Sequence, residues 1–309
     1  MFVILGASGK TGGATAAALR KAGRPVRAVV RDPARAGALQ ALGCEIAIAD
    51  VRDKTALVKA MTGATAVQVF CPTSEHAVDA VGDMRRAIAS VGDALDLARP
   101  AAVLAISDYG AEHSTGTGVT GLFHELEQRM RRIASAHVVL RSAEHMENWS
   151  RLIPVAAQTG MLPSLHHPVT KYFPTVSSAD VGVIAAQLLL SSATFERSGG
   201  VIHAEGPSRY TVTDVAQVLG DLLDSAINAF ELLREQWQPT LARGVGESYA
   251  RLVTEMYDAH NAGHIGAQEG VDDIRYGQTS LHDALKPYVT ALLATQASQT
   301  GALAGGVLR

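Results

Sequence analysis

The opening stretch MFVILGASGKTGG, Met1 to Gly13, restricts the fold of this chain more than any other. Phe2 to Leu5 form an apolar run of the length of a buried strand, and Ala14 to Arg20 supply strong helix formers. Between them Gly6, Gly9 and Gly12 fall at intervals of three. Strand, tight glycine turn and helix in that order build a phosphate site. Glycines let the backbone come close to a pyrophosphate, and the helix start meets its charge with open N–H groups and a positive dipole end. Ser8, Lys10 and Thr11 add side-chain donors. The letters GKT at Gly9 to Thr11 also suggest a triphosphate P-loop. That motif needs a glycine about five residues before Gly9, where Ile4 stands, so the spacing excludes it.

Composition narrows the setting. With 309 residues the chain can bury one large core or two joined ones, and 47% hydrophobic with 18% charged residues suits a soluble globular protein. A formal charge of −3 gives no electrostatic case for nucleic acid or an anionic membrane. Cys44 and Cys71 are the only cysteines and both sit in apolar surroundings, which argues against a disulfide framework and for a reducing cytoplasm. No basic segment precedes the first apolar run, and no apolar stretch approaches the ~18 residues that span a bilayer. A soluble, cytoplasmic protein is expected, with a small-molecule substrate as its partner.

After the first helix, Pro25 to Val30 read as a second strand that ends in Arg31. An acid at this place hydrogen-bonds a ribose 2′-OH, whereas an arginine accommodates a 2′-phosphate, so Arg31 predicts NADP(H). Glu45 to Ala49 make a third strand that stops at Asp50-Val51, where the acid either accepts from an adenine amino group or caps the helix of Lys54 to Met61. Thr65 to Phe70 form a fourth strand, and Phe70-Cys71-Pro72 turn sharply over the cofactor cleft. Val78, Val81, Met84, Ile88, Val91 and Leu95 mark a long amphipathic helix. Ala101 to Ile106 give the fifth strand, followed by Ser107-Asp108-Tyr109-Gly110. Leu122, Leu126, Met130 and Ile133 outline another helix, and His137 to Leu140 a sixth strand ahead of Arg141.

Strands alternating with helices in this way predict an α/β fold, a doubly wound parallel sheet of the Rossmann kind. Ligands of such sheets sit beyond the carboxyl ends of the strands. Gly6, Arg31, Asp50, Phe70, Ser107 and Arg141 all stand at those ends and are read as one site.

Beyond Arg141 the alternation breaks down. Ser142 to Gln158 look helical, and Gly160 to Pro174, rich in proline and histidine, suit a loop over the cleft. Ser177 or Ser178 caps a helix from Ala179 to Leu190, Val201 to Ala204 add a late strand, and Thr213 to Leu223 form a further helix. The division expected is a cofactor domain over 1–150 to which 175–204 returns, a smaller helical cap over 151–174 and 205–295, and a flexible tail over 296–309.

GASGKTGG, VVRDP, IADVRD, SDYGA, VVLRSAEHMENW, SSADVGVIAAQLLL and MYDAHNAGH together resemble the NmrA-like group of atypical short-chain dehydrogenase/reductases. The resemblance covers roughly 1–290. It implies binding of NAD(P)H, and two kinds of function: reduction of quinones, azo compounds or phenylpropanoid-type substrates, or redox-sensing regulation without catalysis. It also implies that Arg141 belongs to the cofactor site and that Glu144, His145, Met146, Asn148 and Trp149 form the nicotinamide and substrate wall.

The chain departs from the general reductase pattern at its chemistry. The standard acid is a tyrosine with a lysine four residues on, but Tyr109 is followed at that distance by His113, and no lysine lies between Lys59 and Lys171. The group often carries a lysine or histidine on the helix before strand six, and His124 is the nearest match. At 100° per residue His124 falls nearly opposite the Leu122/Leu126/Met130/Ile133 stripe, facing a cleft or solvent. It is the candidate general acid, with Tyr109 as fallback. His166-His167 lie in the loop over the cleft. His260 and His264 have helical metal spacing, but Gly263 weakens the helix and no third ligand is evident, so no metal site is expected.

Overall fold

The computed structural model of the protein describes residues 1–305. Its strands are β1 (Phe2–Leu5), β2 (Val26–Val30), β3 (Glu45–Ile48), β4 (Ala66–Val69), β5 (Ala102–Asp108), β6 (Ala136–Ser142), β7 (Glu144–His145), β8 (Met161–Ser164), β9 (Thr175–Val176), β10 (Gly200–Glu205), β11 (Asn228–Glu231) and β12 (Ile274–Tyr276). The helices are α1 (Lys10–Lys21), α2 (Gly37–Ala41), α3 (Lys54–Met61), α4 (Ala80–Ala98), α5 (Val119–Met130), α6 (Ile153–Thr159), α7 (Ser178–Leu190), α8 (Val212–Leu223), α9 (Trp237–Leu241), α10 (Glu247–Ala262) and α11 (Leu281–Gly305).

Eight strands form one sheet in the order β12-β10-β6-β5-β4-β1-β2-β3, and every neighbouring pair is parallel. Side chains alternate across it. Val3 and Leu5 join Val67, Val103, Leu57, Met84 and Leu126 in a core under α3, α4 and α5. Ile4 points the other way, into a core with Leu104, Leu140, Leu19 and Ile184 under α1 and α7. Both faces are covered, which is why the strands read as continuous apolar runs. The order reverses between β1 and β4, and the crevice at such a reversal is where ligands of open parallel sheets bind. A third core joins Met146, Trp149 and Phe173 to Val215, Leu219 and Leu285, drawing α8 and α11 onto the segment after β6.

Several elements differ from the sequence expectation. Asp79 caps α4 by accepting from the Gly82 N–H, so the helix begins at Ala80 and Val78 is left fully exposed. Ser142 to Gln158 is not one helix. Ser142 still pairs in register with Asp108, residues Met146–Leu152 form a 3-10 turn, and α6 starts at Ile153, where Pro154 occupies the first turn and its missing N–H is tolerated. The histidine-rich loop contains β8, which pairs with β11. The short β12 adds an edge strand unmarked by any strong pattern. The tail expected over 296–309 continues α11 as far as Gly305, and residues 306–309 lie outside the described residues. No helix of the described residues is long and apolar enough to cross a membrane.

Candidate functional site

The glycine turn joins β1 to α1. Gly6 has φ +67°, a conformation that favours glycine, and its carbonyl accepts from the Gly9 N–H at 2.9 Å. A Cβ on Gly12 would lie 2.5 Å from that same carbonyl, so the turn closes only without a side chain there. No side chain caps α1, and its leading N–H groups therefore face a cavity of about 190 Å³. Gly6, Gly9, Lys10, Thr11 and Gly12 line one side of this cavity, with Phe70 and Asn148 opposite. Gln68 of β4 also lines it, fully buried, with neither amide atom partnered among the described residues. A buried amide left unpaired costs about 1–3 kcal/mol, so the cavity holds a donor and an acceptor ready for a polar ligand. A glycine cradle, an open helix start and an orphaned amide fit a dinucleotide.

Beside the cradle, Arg31 is exposed just past β2, and Arg35 donates to the Ser8 carbonyl at 3.2 Å. The Lys10 ammonium sits 4.7 Å over the Tyr288 ring of α11. Asp50 accepts from the Arg52 backbone and guanidinium, and Arg52 also pairs with Asp83, which Ser74 joins. The cap of α3 is Asp53, not Asp50. That removes the capping alternative for Asp50.

A second cavity of about 200 Å³ opens beyond the ends of β5 and β6. Phe70, His145 and Asn148 line both cavities and form the partition between them. Ile106, Val119, Phe123 and Met256 give the second cavity an apolar wall, while Asp108, Glu144, Tyr249 and His260 supply polar groups. Glu144 accepts from His166 Nε2 at 2.9 Å and from the Tyr257 hydroxyl at 3.1 Å. Burial raises its carboxyl, but His166 and Tyr257 outweigh that and hold it below the usual range. Asp108 goes the other way. Burial pushes its carboxyl up to about 7, the Tyr109 backbone N–H opposing and Glu144 adding to the shift. Burial lowers His145, and lowers His260 to about 4.

The structure brings Gly6, Gly9, Lys10, Thr11, Gly12 and Phe70 together at the first cavity, and Glu144, His145 and Asn148 along the second. Other expected site residues lie outside both cavities or are engaged by other partners. Arg141 is 1% exposed and heavily engaged: Glu127 takes it in a two-pronged pair at 2.8 and 2.7 Å, and Glu112 and Gln268 both accept from Nη1. It is not free to bind cofactor. Ser107 reaches the second cavity, but its hydroxyl donates to Glu127 at 2.6 Å. His124 lines neither cavity. Its Nδ1–H donates to the Ala111 carbonyl at 2.8 Å and Nε2 accepts from Gln128, because helical phase turns Phe123, not His124, toward the opening. Tyr109 lines the cavity, yet its hydroxyl donates to Glu205 at 3.1 Å, and burial with that carboxylate raises it far above the ordinary tyrosine range. Neither residue is placed as a proton donor. Cys71 is fully buried in the sheet core, and Val51 and Pro72 line neither cavity. Met146 and Trp149 are core residues, since the 3-10 turn points them inward to Ile153, Phe173 and Leu285. Gly263, at φ +84°, ends α10 before His264, which breaks the helical pairing with His260. Among the described residues no three His, Cys, Asp or Glu gather as a metal site.

Sequence reading missed Gln68, Asp108, Tyr249, Met256 and His260. Gln68 interrupts an otherwise apolar strand, and Tyr249, Met256 and His260 recur at helical spacing on α10; both were available signals.

A parallel sheet with an open glycine turn where its strand order reverses defines a dinucleotide-binding protein. The family model described as NAD(P)H-binding matches residues 6–173, and the chain belongs to that family. The NmrA-like resemblance read from the sequence stands with this result. Among solved structures, the chain is similar to an NADPH-dependent quinone oxidoreductase from Escherichia coli complexed with NADPH. Identity is 22% over 95% of this chain and 100% of that one, with a TM-score of 0.78. It is also similar to the Citrobacter sp. triphenylmethane reductase complexed with NADP(H), at 19% identity over 93% and 100% of the chains and a TM-score of 0.77. A nucleoside-diphosphate-sugar epimerase from Staphylococcus aureus shares 14% identity over 92% and 99%, with a TM-score of 0.74. These likenesses establish the fold. No curated protein matches the chain.

Proposed function

We propose that the protein is an NADPH-dependent reductase acting on a small conjugated acceptor of quinone, azo or enone type. The observation that carries this is the pair of adjoining cavities, one built for a dinucleotide and one apolar with polar groups at its floor, separated only by Phe70, His145 and Asn148. The likeness to a quinone oxidoreductase and a triphenylmethane reductase supports a conjugated acceptor.

Bound NADPH supplies a hydride equivalent. The backbone of Gly6, Gly9 and Gly12 and the start of α1 would hold the pyrophosphate, Arg31 would meet the 2′-phosphate, and Asp50 would accept from the adenine amino group. Gln68 would satisfy its amide on the cofactor. Phe70 and Phe123 give a planar acceptor apolar faces to lie against. The free, buried thiols of Cys44 and Cys71 suit a reducing cytoplasm.

Anaerobic incubation with NADPH and a panel of quinones, azo dyes and enones tests the reading. Acceptor-dependent loss of nicotinamide absorbance is the expected result. Tight NADPH binding with no turnover of any acceptor overturns it in favour of a non-catalytic NADP(H) sensor.

A further inference from the structure

With His124 bonded to Ala111 and Tyr109 to Glu205, hydride transfer to a neutral acceptor still needs a proton. Two carboxyl groups face the acceptor cavity, and their surroundings differ. Glu144 is clamped by His166 at 2.9 Å and Tyr257 at 3.1 Å, with the His166 ring stacked 4.1 Å from Phe173. Asp108, at the end of β5, pairs with no cation among the described residues. The titratable groups that line the cavity with it are Glu144 and His145 after β6, Tyr249 and His260 on α10, and Tyr109 at its own strand end. No lysine or arginine lines the cavity. One carboxyl group held by two hydrogen bonds and one with no partner cation in the same cavity give the site both a fixed group and a free one.

We propose that Asp108 is the proton donor of the acceptor cavity and that Glu144, fixed by His166 and Tyr257, is a positioning residue of the same cavity. This rests on the reductase reading. For a quinone, NADPH gives up a hydride, two electrons and a proton together, and becomes NADP⁺. The acceptor becomes a hydroquinone monoanion. Its oxygen takes the Asp108 proton, which yields the neutral hydroquinone and an Asp108 carboxylate, and one proton taken up from solvent through the opening restores the acid. Atoms and charge balance with NADPH as the sole reductant.

Asp108→Asn is expected to lower quinone kcat by about 10²–10⁴ while NADPH affinity, read by fluorescence titration, stays within about twofold. An acid must be protonated to act, so wild-type kcat is high below pH about 7 and falls above it. That falling limb is absent from Asp108→Asn and moves to lower pH in Glu144→Gln. A readout free of turnover is infrared difference titration of the protein without cofactor. It is expected to show a protonated-carboxyl band that titrates near pH 7 and is missing from Asp108→Asn. A wild type that reduces quinone while Asp108→Asn matches it in rate and pH profile overturns the assignment alone, as does a titrating band that survives in the variant. A wild type that reduces no acceptor overturns the reductase reading, and the proton-donor role with it.

Discussion

Arg141 shows how a residue at the right strand end can serve the fold instead of the ligand. Its guanidinium and Glu127 are both buried, at 1% exposure each, and such a pair is costly to break because one charge is left unpaired. Glu127→Ala is expected to destabilise by about 3–5 kcal/mol in urea unfolding, whereas a change under about 1 kcal/mol would contradict the structural role. Arg31 presents the opposite case, exposed and close to the glycine turn. Arg31→Ala should weaken NADPH binding roughly tenfold to a hundredfold and leave NADH binding nearly unchanged, since a charge-assisted bond contributes about 1.5–3 kcal/mol. Equal losses for the two cofactors would remove Arg31 from the 2′-phosphate. Sequence placed both arginines at strand ends, but it could not say which one a buried glutamate on α5 would claim. The same limit applied to His124, whose phase away from the core was legible and whose partner, the Ala111 carbonyl, was not.

Two glycine seams couple elements to the two cavities. A Cβ on Gly182 of α7 would meet the Thr11 carbonyl at 2.4 Å, pressing α7 against the start of α1. A Cβ on Gly118, before α5, would meet the Leu252 carbonyl at 2.0 Å and push on α10, which carries Tyr249, Met256 and His260 to the acceptor cavity. Both substitutions to alanine should cost about 1–3 kcal/mol as overpacking. Their functional effects should separate. Gly182→Ala is expected to weaken NADPH binding, and Gly118→Ala to raise acceptor KM with NADPH affinity retained. Isothermal titration and steady-state kinetics check the split, and matching profiles for the two variants would contradict it. The α1–α7 seam was half legible: glycines in α1 announced a close approach, while the strand-like and helical patterns did not show which distant helix arrives.

At the scale of the molecule, the parallel sheet was readable because burial on both faces leaves apolar runs with helical patterns between them. The segment after β6 was not, because its 3-10 turn and short strands are set by packing against α8 and α11 rather than by local pattern. Long-range pairing likewise brought Asp108, Glu144 and His260 into one cavity, and its buried charges give stability a pH signature. His260 is lowered to about 4, so stability is lost as pH falls from about 6.5. Asp108 is raised to about 7, so the folded form binds the extra proton, and stability is lost as pH rises from about 4 to 7. The two trends oppose each other between about pH 4 and 6.5. Asp108→Asn removes one of them: it should be more stable than the wild type at pH 8, by on the order of 1 kcal/mol because the cavity keeps the group partly solvated, and should lose stability more steeply on acidification. Denaturant melts at several pH values decide this, and parallel curves for variant and wild type would contradict it.

The central claim is that cofactor and acceptor meet across the Phe70, His145 and Asn148 partition, so that hydride passes directly between them. Single-turnover oxidation of NADPH carrying deuterium on one or the other face of nicotinamide C4, with a quinone acceptor, measures this. Fixed binding in one orientation should slow oxidation for one label and leave the other at the rate of unlabelled NADPH. Equal rates for both labels, or no acceptor-dependent oxidation at all, would contradict the claim.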